Sequence, residues 1–117
     1  MAGTGSCVFC GIVAGDVPAR IVAETASTVA FDDIEPQAPV HVLVVPRTHV
    51  ENAAALTLEH GDLLAELLVA AQQVAEAKGV ARSGYRLVFN VGDDALNSVP
   101  HLHLHVVGGR RLGWPPG

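Results

Sequence analysis

The stretch "NSVPHLHLHVVGGR", residues 97 to 110, places a histidine at every second position of a short apolar run. Side chains on a β-strand alternate between its two faces, so positions two apart share a face. The strand predicted here has one face of imidazoles, formed by His101, His103 and His105. Its other face is apolar and belongs to the core; it is formed by Leu102, Leu104 and Val106.

The row of imidazoles has two interpretations. It is either the solvated face of an ordinary strand or a site for metal or proton chemistry. A solvated face normally carries Thr, Lys, Glu or Gln, whereas imidazole changes its charge near neutral pH and ligates metals. Three histidines on one face therefore favour a functional site.

The sequence around this strand predicts an α+β fold with a mostly antiparallel, five-stranded sheet, one short helix and one long helix. The short helix lies at the start of "CVFCGIVAGDVPAR" and is stopped by Gly15 and Pro18. The long helix has apolar residues at helical spacing, with Thr57 as a candidate N-cap and Gly79 as a stop. The predicted ranges are 58–77 for this helix and 20–24, 28–34, 40–47, 85–91 and 101–110 for the strands.

Composition and charge narrow the class of protein. The chain has 117 residues, of which 50% are hydrophobic and 16% charged, as in a globular domain. We assign residues 7–117 to a single domain and expect residues 1–6 to be disordered. The net charge of -5 argues against a nucleic acid polymer as partner. Without a long apolar segment or a secretory signal, we expect a cytoplasmic protein that does not enter a membrane.

Several motifs together resemble one family. The chain is identified as a member of the histidine triad (HIT) family of nucleotide hydrolases and transferases, whose signature "HLHLHVV" fits. The resemblance extends to "CVFC", "FDDIEPQAPVHVLVVPRTH" and "GYRLVFNVG". The tail "GGRRLGWPPG" is similar to the Hint branch, the nucleoside phosphoramidate hydrolases. A HIT-like fold is therefore expected.

The resemblance implies a reaction and a set of catalytic residues. His103 would be the nucleophile that attacks the α-phosphorus of a purine nucleoside 5′-phosphoramidate, giving a nucleotidyl-histidine that water hydrolyses to the nucleoside monophosphate. Its second ring nitrogen needs an acceptor, for which a backbone carbonyl or His41 is available. His105 and Ser98 would contact the phosphoryl oxygens or the departing amine.

The resemblance also implies where the nucleotide lies. Asp33 matches the ribose-binding acid, Ile34 would line the base pocket and Asn90 and Asn97 would be polar contacts near the phosphate. Without the resemblance, a solvated turn is at least as good an account of Asp32 and Asp33. The loop "DDALNS" departs from the family pattern, because Ala95 and Leu96 stand where glycines are usual. This departure affects the loop's phosphate contacts and the choice of leaving group.

Cys7 and Cys10 form a C-x-x-C motif with three interpretations. A redox pair would be expected after a strand of a βαβ unit, which does not precede it. The other two are a pair of buried thiols on one helical face and a structural zinc site. Similar bacterial family members pair these cysteines with histidines that correspond to His49 and His101, which implies zinc held by Cys7, Cys10, His49 and His101. The expected chemistry needs no other cofactor.

The resemblance implies a homodimer as well, joined through the long helix and a strand edge, with Trp114 in the tail contacting the partner's active site. Two alternatives to the phosphoramidate hydrolase remain. One is a non-enzymatic, zinc-bearing module that senses nucleotides. The other is a hydrolase of dinucleoside polyphosphates from the same family.

Overall fold

The computed structural model describes residues 7–117, so the expectation of a disordered segment at residues 1–6 lies outside the described residues. The described elements are two α-helices, five strands and three short 3-10 turns. The helices and strands are α1 (Val8–Ala14), β1 (Ile21–Glu24), β2 (Thr28–Asp32), β3 (Val40–Pro46), α2 (Gly61–Ala77), β4 (Tyr85–Val88) and β5 (Leu104–Gly108). The 3-10 turns are Ala53–Ala55, Leu58–His60 and Asp93–Ala95.

The five strands form one antiparallel sheet in the order β1-β2-β3-β5-β4. This architecture confirms the predicted α+β class with one long and one short helix. The central pair β3 and β5 aligns Leu43 with His105 and Val42 with Val106. The sheet order therefore places the histidine strand between the strand that contains His41 and the strand that precedes Asn90.

Each face of the sheet is covered by a different helix. The even-numbered side chains of β3 and β5, such as Val42, Val44 and Leu104, join α2 in the larger core. The opposite face carries Leu43 and Val45 together with the α1 residue Phe9. The alternation predicted from the sequence is thus observed, because the leucines of "HLHLHVV" are buried against α2 and the histidines lie on the α1 side.

The observed elements are shorter than predicted at several ends. Helix α2 begins at Gly61 rather than at residue 58, because Leu58–His60 forms a separate 3-10 turn. Thr57 caps that turn, and its N–H donates to His60 Nδ1 at 2.9 Å, so His60 belongs to a capping box and is more than a surface residue. Strand β5 begins at Leu104 rather than at residue 101, because Leu102 N donates to the carbonyl of Val50 at 2.6 Å.

The other predicted strands also lose residues at their ends, and β4 stops at Val88 instead of continuing to residue 91. Neither α1 nor α2, the helices in the described part of the chain, combines the length and the hydropathy that a membrane crossing requires.

Candidate functional site

A cleft of about 610 Å³ opens on the α1 side of the sheet. Three β-strands and the loops after them supply its polar side chains, and α1 supplies part of its apolar wall. The polar lining residues are Asp32, Asp33, Glu35, Gln37, His41, Asn90, Ser98, His103 and His105. The apolar lining includes Phe9, Phe31, Ile34, Leu43, Leu96 and Val99. The structure therefore brings the predicted catalytic residues and most of the predicted nucleotide contacts into one cavity.

The hydrogen bond of His103 defines the tautomer of its ring. Its Nδ1 lies 2.7 Å from the backbone carbonyl oxygen of His101, which can only accept, so Nδ1 carries the proton. In the neutral ring Nε2 is then left with its lone pair free. The edge of the Phe9 ring packs against His103 at a centroid distance of 5.1 Å, which holds the imidazole plane. His103 is thus a base or nucleophile at Nε2.

His41 and His105 form a second chain of directed hydrogen bonds. Gln37 N–H donates to His41 Nδ1 at 3.0 Å, so in neutral His41 the proton lies on Nε2. This Nε2 is 2.9 Å from His105 Nδ1, which therefore accepts. His105 Nε2 then carries a proton and is available as a donor in the cleft. The main-chain amide of Gln37 thus determines the donor and acceptor roles of two imidazoles.

Burial keeps both of these rings neutral. It lowers the pKa of His105 to about 4, and the neighbouring His103 and His41 lower it in the same direction, against an opposing effect of Asp33. Burial also lowers the pKa of His41, again against the charge of Asp33. At neutral pH, His105 is therefore a neutral hydrogen-bond donor rather than a cation.

Asp33 has two separate contacts, one from each carboxylate oxygen. Oδ1 accepts a hydrogen bond from Glu35 N at 2.8 Å, which is the local turn that the sequence allowed. Oδ2 lies 3.4 Å from His41 Nε2 and faces the cleft. One oxygen of Asp33 is therefore used in the local turn, and the other lies beside His41 in the cleft. Ile34 beside it is 93% exposed and lies at the rim of the same cleft.

On the other side of His105, Asn90 Nδ2 lies 3.4 Å from His105 Nε2. Two N–H groups cannot bond to each other, and the tautomer of His105 places a proton on Nε2. The Asn90 amide in its flipped orientation would present Oδ1 as the acceptor. In that orientation Asn90 Oδ1 accepts the hydrogen bond from His105 Nε2–H, and a bound oxyanion could accept it instead.

The loop before the histidine strand contains a residue other than glycine in the left-handed conformation. Leu96 has φ 63 and ψ 32, the left-handed conformation that side chains other than glycine rarely adopt. Its side chain is 84% exposed and lines the cleft. Ser98 lines the cleft as predicted, whereas Asn97 does not. Asn97 Oδ1 is instead buried, and it has no hydrogen-bond partner within residues 7–117.

Four side chains from three parts of the chain converge beside this cleft. They are Cys7, Cys10, His49 and His101, with their potential ligand atoms within 4.8 Å of one another. The two Nδ1 atoms lie 3.1 Å apart, and the sulfur to nitrogen distances are 3.3 to 3.4 Å. A tetrahedral zinc site has edges of about 3.3 Å between nitrogens and about 3.6 Å between sulfur and nitrogen. The four donors are therefore already spaced for a tetrahedral metal ion.

The hydrogen bonds of His101 support this interpretation. Its Nε2 lies 3.0 Å from the carbonyl oxygen of Pro46, so Nε2 carries the proton and Nδ1 presents a lone pair to the cluster. His101 is fully buried, and burial lowers its pKa, which favours the neutral ring that a metal needs. Burial, together with the hydrogen bond and charge of Cys7, raises the pKa of the Cys10 thiol to about 11. A cation between the sulfurs would reverse that effect.

A second group of potential ligands, Asp33, His41 and His105, fails the same test. The lone pair of His41 Nδ1 is occupied by Gln37 N–H, so Nε2, the atom that faces the other two groups, carries a proton. A protonated nitrogen cannot ligate a metal. Of these two groups, the cysteine–histidine cluster alone is suited to a metal ion.

Trp114 lies away from the cleft of its own chain and is 83% exposed. Arg86 Nη2 donates to the carbonyl of Gly113 at 2.9 Å, which fastens the tail to β4 at the edge of the sheet.

The comparisons with known proteins agree with this site. Residues 14–112 match the HIT domain family, so the chain belongs to the HIT family. An uncharacterised HIT-like protein of Synechococcus elongatus is 44% identical over 110 residues, which cover 94% of this chain and 96% of the relative.

Two solved structures are similar as well. The HIT family hydrolase of Legionella pneumophila Philadelphia 1 has a TM-score of 0.93 and 44% identity, over 96% of this chain and all of that one. The HIT family hydrolase of Clostridium thermocellum has a TM-score of 0.89 and 41% identity, over 92% and 94% of the two chains. By family, fold and site, the chain is therefore hydrolase-like.

Three contributors to the site were missed by the sequence interpretation. The amide of Gln37 and the carbonyl of Pro46 act through the main chain, so side-chain identity carries no signal for them. Phe9 lies in the "CVFC" motif, but residues one or two positions apart on a helix do not share a face, so the spacing gave no signal for its contacts with His101 and His103.

Proposed function

We propose that this protein hydrolyses the P–N bond of nucleoside 5′-phosphoramidates and releases the nucleoside monophosphate. The observation that carries the proposal is the 2.7 Å hydrogen bond from His103 Nδ1 to the carbonyl of His101. It leaves an unprotonated Nε2 facing a cleft lined by donors, which is what a histidine nucleophile requires.

The reaction proceeds in two steps. His103 Nε2 attacks the α-phosphorus, a P–N bond forms to the ring, and the bond to the amine breaks with its electron pair leaving on the amine. The amine needs a proton to depart as a neutral molecule, and Ser98 and His105 are the cleft donors that can deliver or relay it. Water then attacks the nucleotidyl-histidine and gives a proton back to the group that protonated the amine, the ring leaves as neutral imidazole, and a nucleoside monophosphate is released.

Neutral hydrogen-bond donors stabilise the charge on the phosphoryl oxygens. His105 Nε2–H is oriented by His41, which is oriented in turn by Gln37 N–H. Donors fixed in advance cost little reorganisation as charge develops on the phosphoryl oxygens. His41 is therefore a positioning residue, and His105 contacts the reacting group.

The nucleoside end of the substrate lies toward β2. Asp33 Oδ2 is open to the cleft and can accept from a ribose hydroxyl, since its other oxygen is used in the local turn. Ile34 and Phe31 provide apolar surface for the base, for which we propose a purine. Asn97 is left out of this assignment because its buried amide oxygen does not face the cleft.

We further propose that Cys7, Cys10, His49 and His101 hold a structural zinc ion. The ion would fasten α1, which is too short to be stable alone, to the loop after β3 and to the start of the histidine strand. Metal analysis of the protein purified without chelators is expected to give about one equivalent of zinc per chain. A value well below half an equivalent would contradict the assignment.

A homodimer is proposed on the exposed apolar residues of two elements. Val69 on α2 is 49% exposed, and Leu87 and Val91 are exposed on and just after the edge strand β4. An uncovered strand edge and an apolar helix face favour pairing with a second copy. The tail with Trp114 is fastened to that same strand, so it would extend toward the partner's cleft.

The test is a pair of histidine variants assayed on an adenosine 5′-phosphoramidate. His103→Ala is expected to lose turnover, and to lose the radiolabelled nucleotidyl-protein that an alkaline detergent quench preserves, while its circular dichroism is unchanged. His60→Gln is the control, because glutamine at this position of a capping box can replace the ring as acceptor. Full turnover by His103→Ala would rule out the mechanism. Faster cleavage of diadenosine polyphosphates than of phosphoramidates would change the substrate class, and nucleotide binding without turnover would indicate the sensing module.

A further inference from the structure

Two residues connect the cysteine–histidine cluster to the nucleophile: His101, a member of the cluster whose main-chain carbonyl accepts from His103, and Phe9, whose ring packs against both histidines. We propose that a metal ion in this cluster sets the position and tautomer of His103, acting through His101 and Phe9, so that it controls catalysis as well as stabilising the fold. The inference rests on the proposed function for the role of His103 as nucleophile. The coupling itself is a property of the ground-state structure and is measured without turnover.

The first connection runs through His101. Its Nδ1 lies 3.3 Å from Cys7 Sγ and 3.1 Å from His49 Nδ1, so a bound ion would hold the ring from one side. Its Nε2 is held from the other side by the carbonyl of Pro46. The carbonyl of the same residue accepts the proton of His103 Nδ1 at 2.7 Å. Fixing the His101 side chain therefore fixes the acceptor that defines the His103 tautomer.

The second connection runs through Phe9. This residue lies between the two cysteines on α1 and is 8% exposed. Its ring meets His101 edge-on at 6.0 Å between centroids and His103 at 5.1 Å. It also lines the cleft. Since α1 has only seven residues, ligation of Cys7 and Cys10 is a main constraint on where Phe9 lies.

Within residues 7–117, Asp33 and His41 have no direct contact with the cluster or with Phe9, whereas Phe31 at the base end of the cleft meets the Phe9 ring at 5.3 Å between centroids. The contacts of Asp33 are with Glu35 and His41, and those of His41 are with Gln37, Asp33 and His105. Loss of the metal is therefore expected to lower the reactivity of His103 by a larger factor than the affinity for a nucleoside monophosphate. A general loosening of the fold would reduce both.

The size of the change in the His103 tautomer ratio follows from the strength of the hydrogen bond between His103 Nδ1 and the carbonyl of His101. A neutral hydrogen bond shifts an equilibrium by about five- to tenfold when it is lost. The population of His103 with Nδ1 protonated should fall by about that factor relative to the other tautomer. The rate constant for forming the nucleotidyl-histidine follows the fraction of this tautomer, so it should fall by up to the same factor.

His49 is the ligand to vary, because its described contacts are with Cys10 and His101, and not with His103. His49→Ala removes one ligand, whereas His49→Cys keeps four ligands in a common zinc set. Phe9→Leu keeps all the ligands and removes the aromatic contact, so it tests the second connection if His49→Ala does not fold. Metal content, long-range proton–nitrogen NMR spectra of the His103 ring, binding of adenosine monophosphate and single-turnover transfer are measured for each.

The expected result is loss of metal and a mixture of His103 tautomers in His49→Ala, with both properties restored in His49→Cys. Phe9→Leu should keep its metal and still show a displaced His103 ring resonance. The coupling is refuted if folded, metal-free His49→Ala gives the same His103 ring spectrum as the wild-type protein. If the wild-type protein forms no nucleotidyl-histidine, the proposed function fails, but the comparison of ring spectra still decides the coupling.

Discussion

Replacing Leu96 with glycine is expected to stabilise this protein, although it deletes a leucine. The left-handed conformation costs a residue with a Cβ about 1 to 2 kcal/mol, and Leu96 adopts it at φ 63. About 0.5 to 1 kcal/mol of this gain is lost, because glycine increases the conformational entropy of the unfolded chain. The side chain is 84% exposed, so its removal loses only about 0.3 kcal/mol of burial. The net change is a gain of about 0.5 kcal/mol.

The neighbouring residue is the matched control. Ala95 lies in the Asp93–Ala95 turn and has no positive φ, so Ala95→Gly carries the entropic cost without relief of strain. It should destabilise by about 0.5 to 1 kcal/mol. Urea denaturation of the two glycine variants should therefore give shifts of opposite sign. If Leu96→Gly lowers the free energy of unfolding as much as Ala95→Gly does, the conformational argument is wrong.

The same variant tests the role of Leu96 in selecting the leaving group. Because Leu96 lines the cleft on the Ser98 loop, Leu96→Gly should slow cleavage of phosphoramidates with a large apolar amine more than those with a small polar amine. One apolar contact supports a change of about tenfold in the ratio of kcat/KM. An unchanged ratio would show that the leaving amine does not contact this side chain.

Three further predictions concern the core, the buried histidines and the metal. Leu67→Ala should lower the free energy of unfolding by about 2 to 5 kcal/mol, since this side chain is 0% exposed, whereas Leu58→Ala at full exposure should change it by less than about 0.5 kcal/mol in the same urea titration. The pKa of His105 is about 4 in the folded protein, below its ordinary value of 6.5, so stability should fall as the pH drops through that window. Solvent in the cleft limits the effect to about 1 kcal/mol between about pH 7 and pH 5, and His105→Gln should reduce it. Chelation should lower Tm in the wild-type protein and leave it unchanged in His49→Ala.

The sequence was sufficient to predict the fold class, which face of the histidine strand joins the core, and most of the residues that meet in the cleft. Period-two alternation in "HLHLHVV" and helical spacing in residues 61–77 are strong signals, because each matches the geometry of its element. Element ends were predicted less well. The 3-10 turn at Leu58–His60 has a capping residue and an apolar residue, as the first turn of an α-helix does. The sequence pattern therefore does not distinguish this 3-10 turn from the start of the helix.

Local sequence was insufficient to predict the conformation of two residues in the loop before the histidine strand. Leu96 adopts the conformation of the glycine it replaces, which single-residue preferences argue against. Asn97 was predicted to face the nucleotide, but its amide oxygen is buried. Both outcomes depend on how the Asp93–Ala95 turn joins β4 to the histidine strand, and tertiary packing decides that geometry.

The two histidine clusters show why residue type and proximity are insufficient to assign a chemistry. Both contain two imidazoles and at least one cysteine or carboxylate within ligand distance. What separates them is a main-chain group behind each ring. The carbonyl of Pro46 accepts from His101 and frees Nδ1 for a metal, whereas the amide of Gln37 donates to His41 and forces a proton onto the nitrogen that faces His105.

The nucleophile follows the same rule, since the carbonyl of His101 frees Nε2 of His103. Three imidazoles that look equivalent in sequence thus differ in which ring nitrogen carries the proton, and this difference underlies the roles of metal ligand, nucleophile and donor that we propose for them. The backbone of this fold assigns those roles, and substitutions that preserve each histidine but move its main-chain partner are expected to abolish its role.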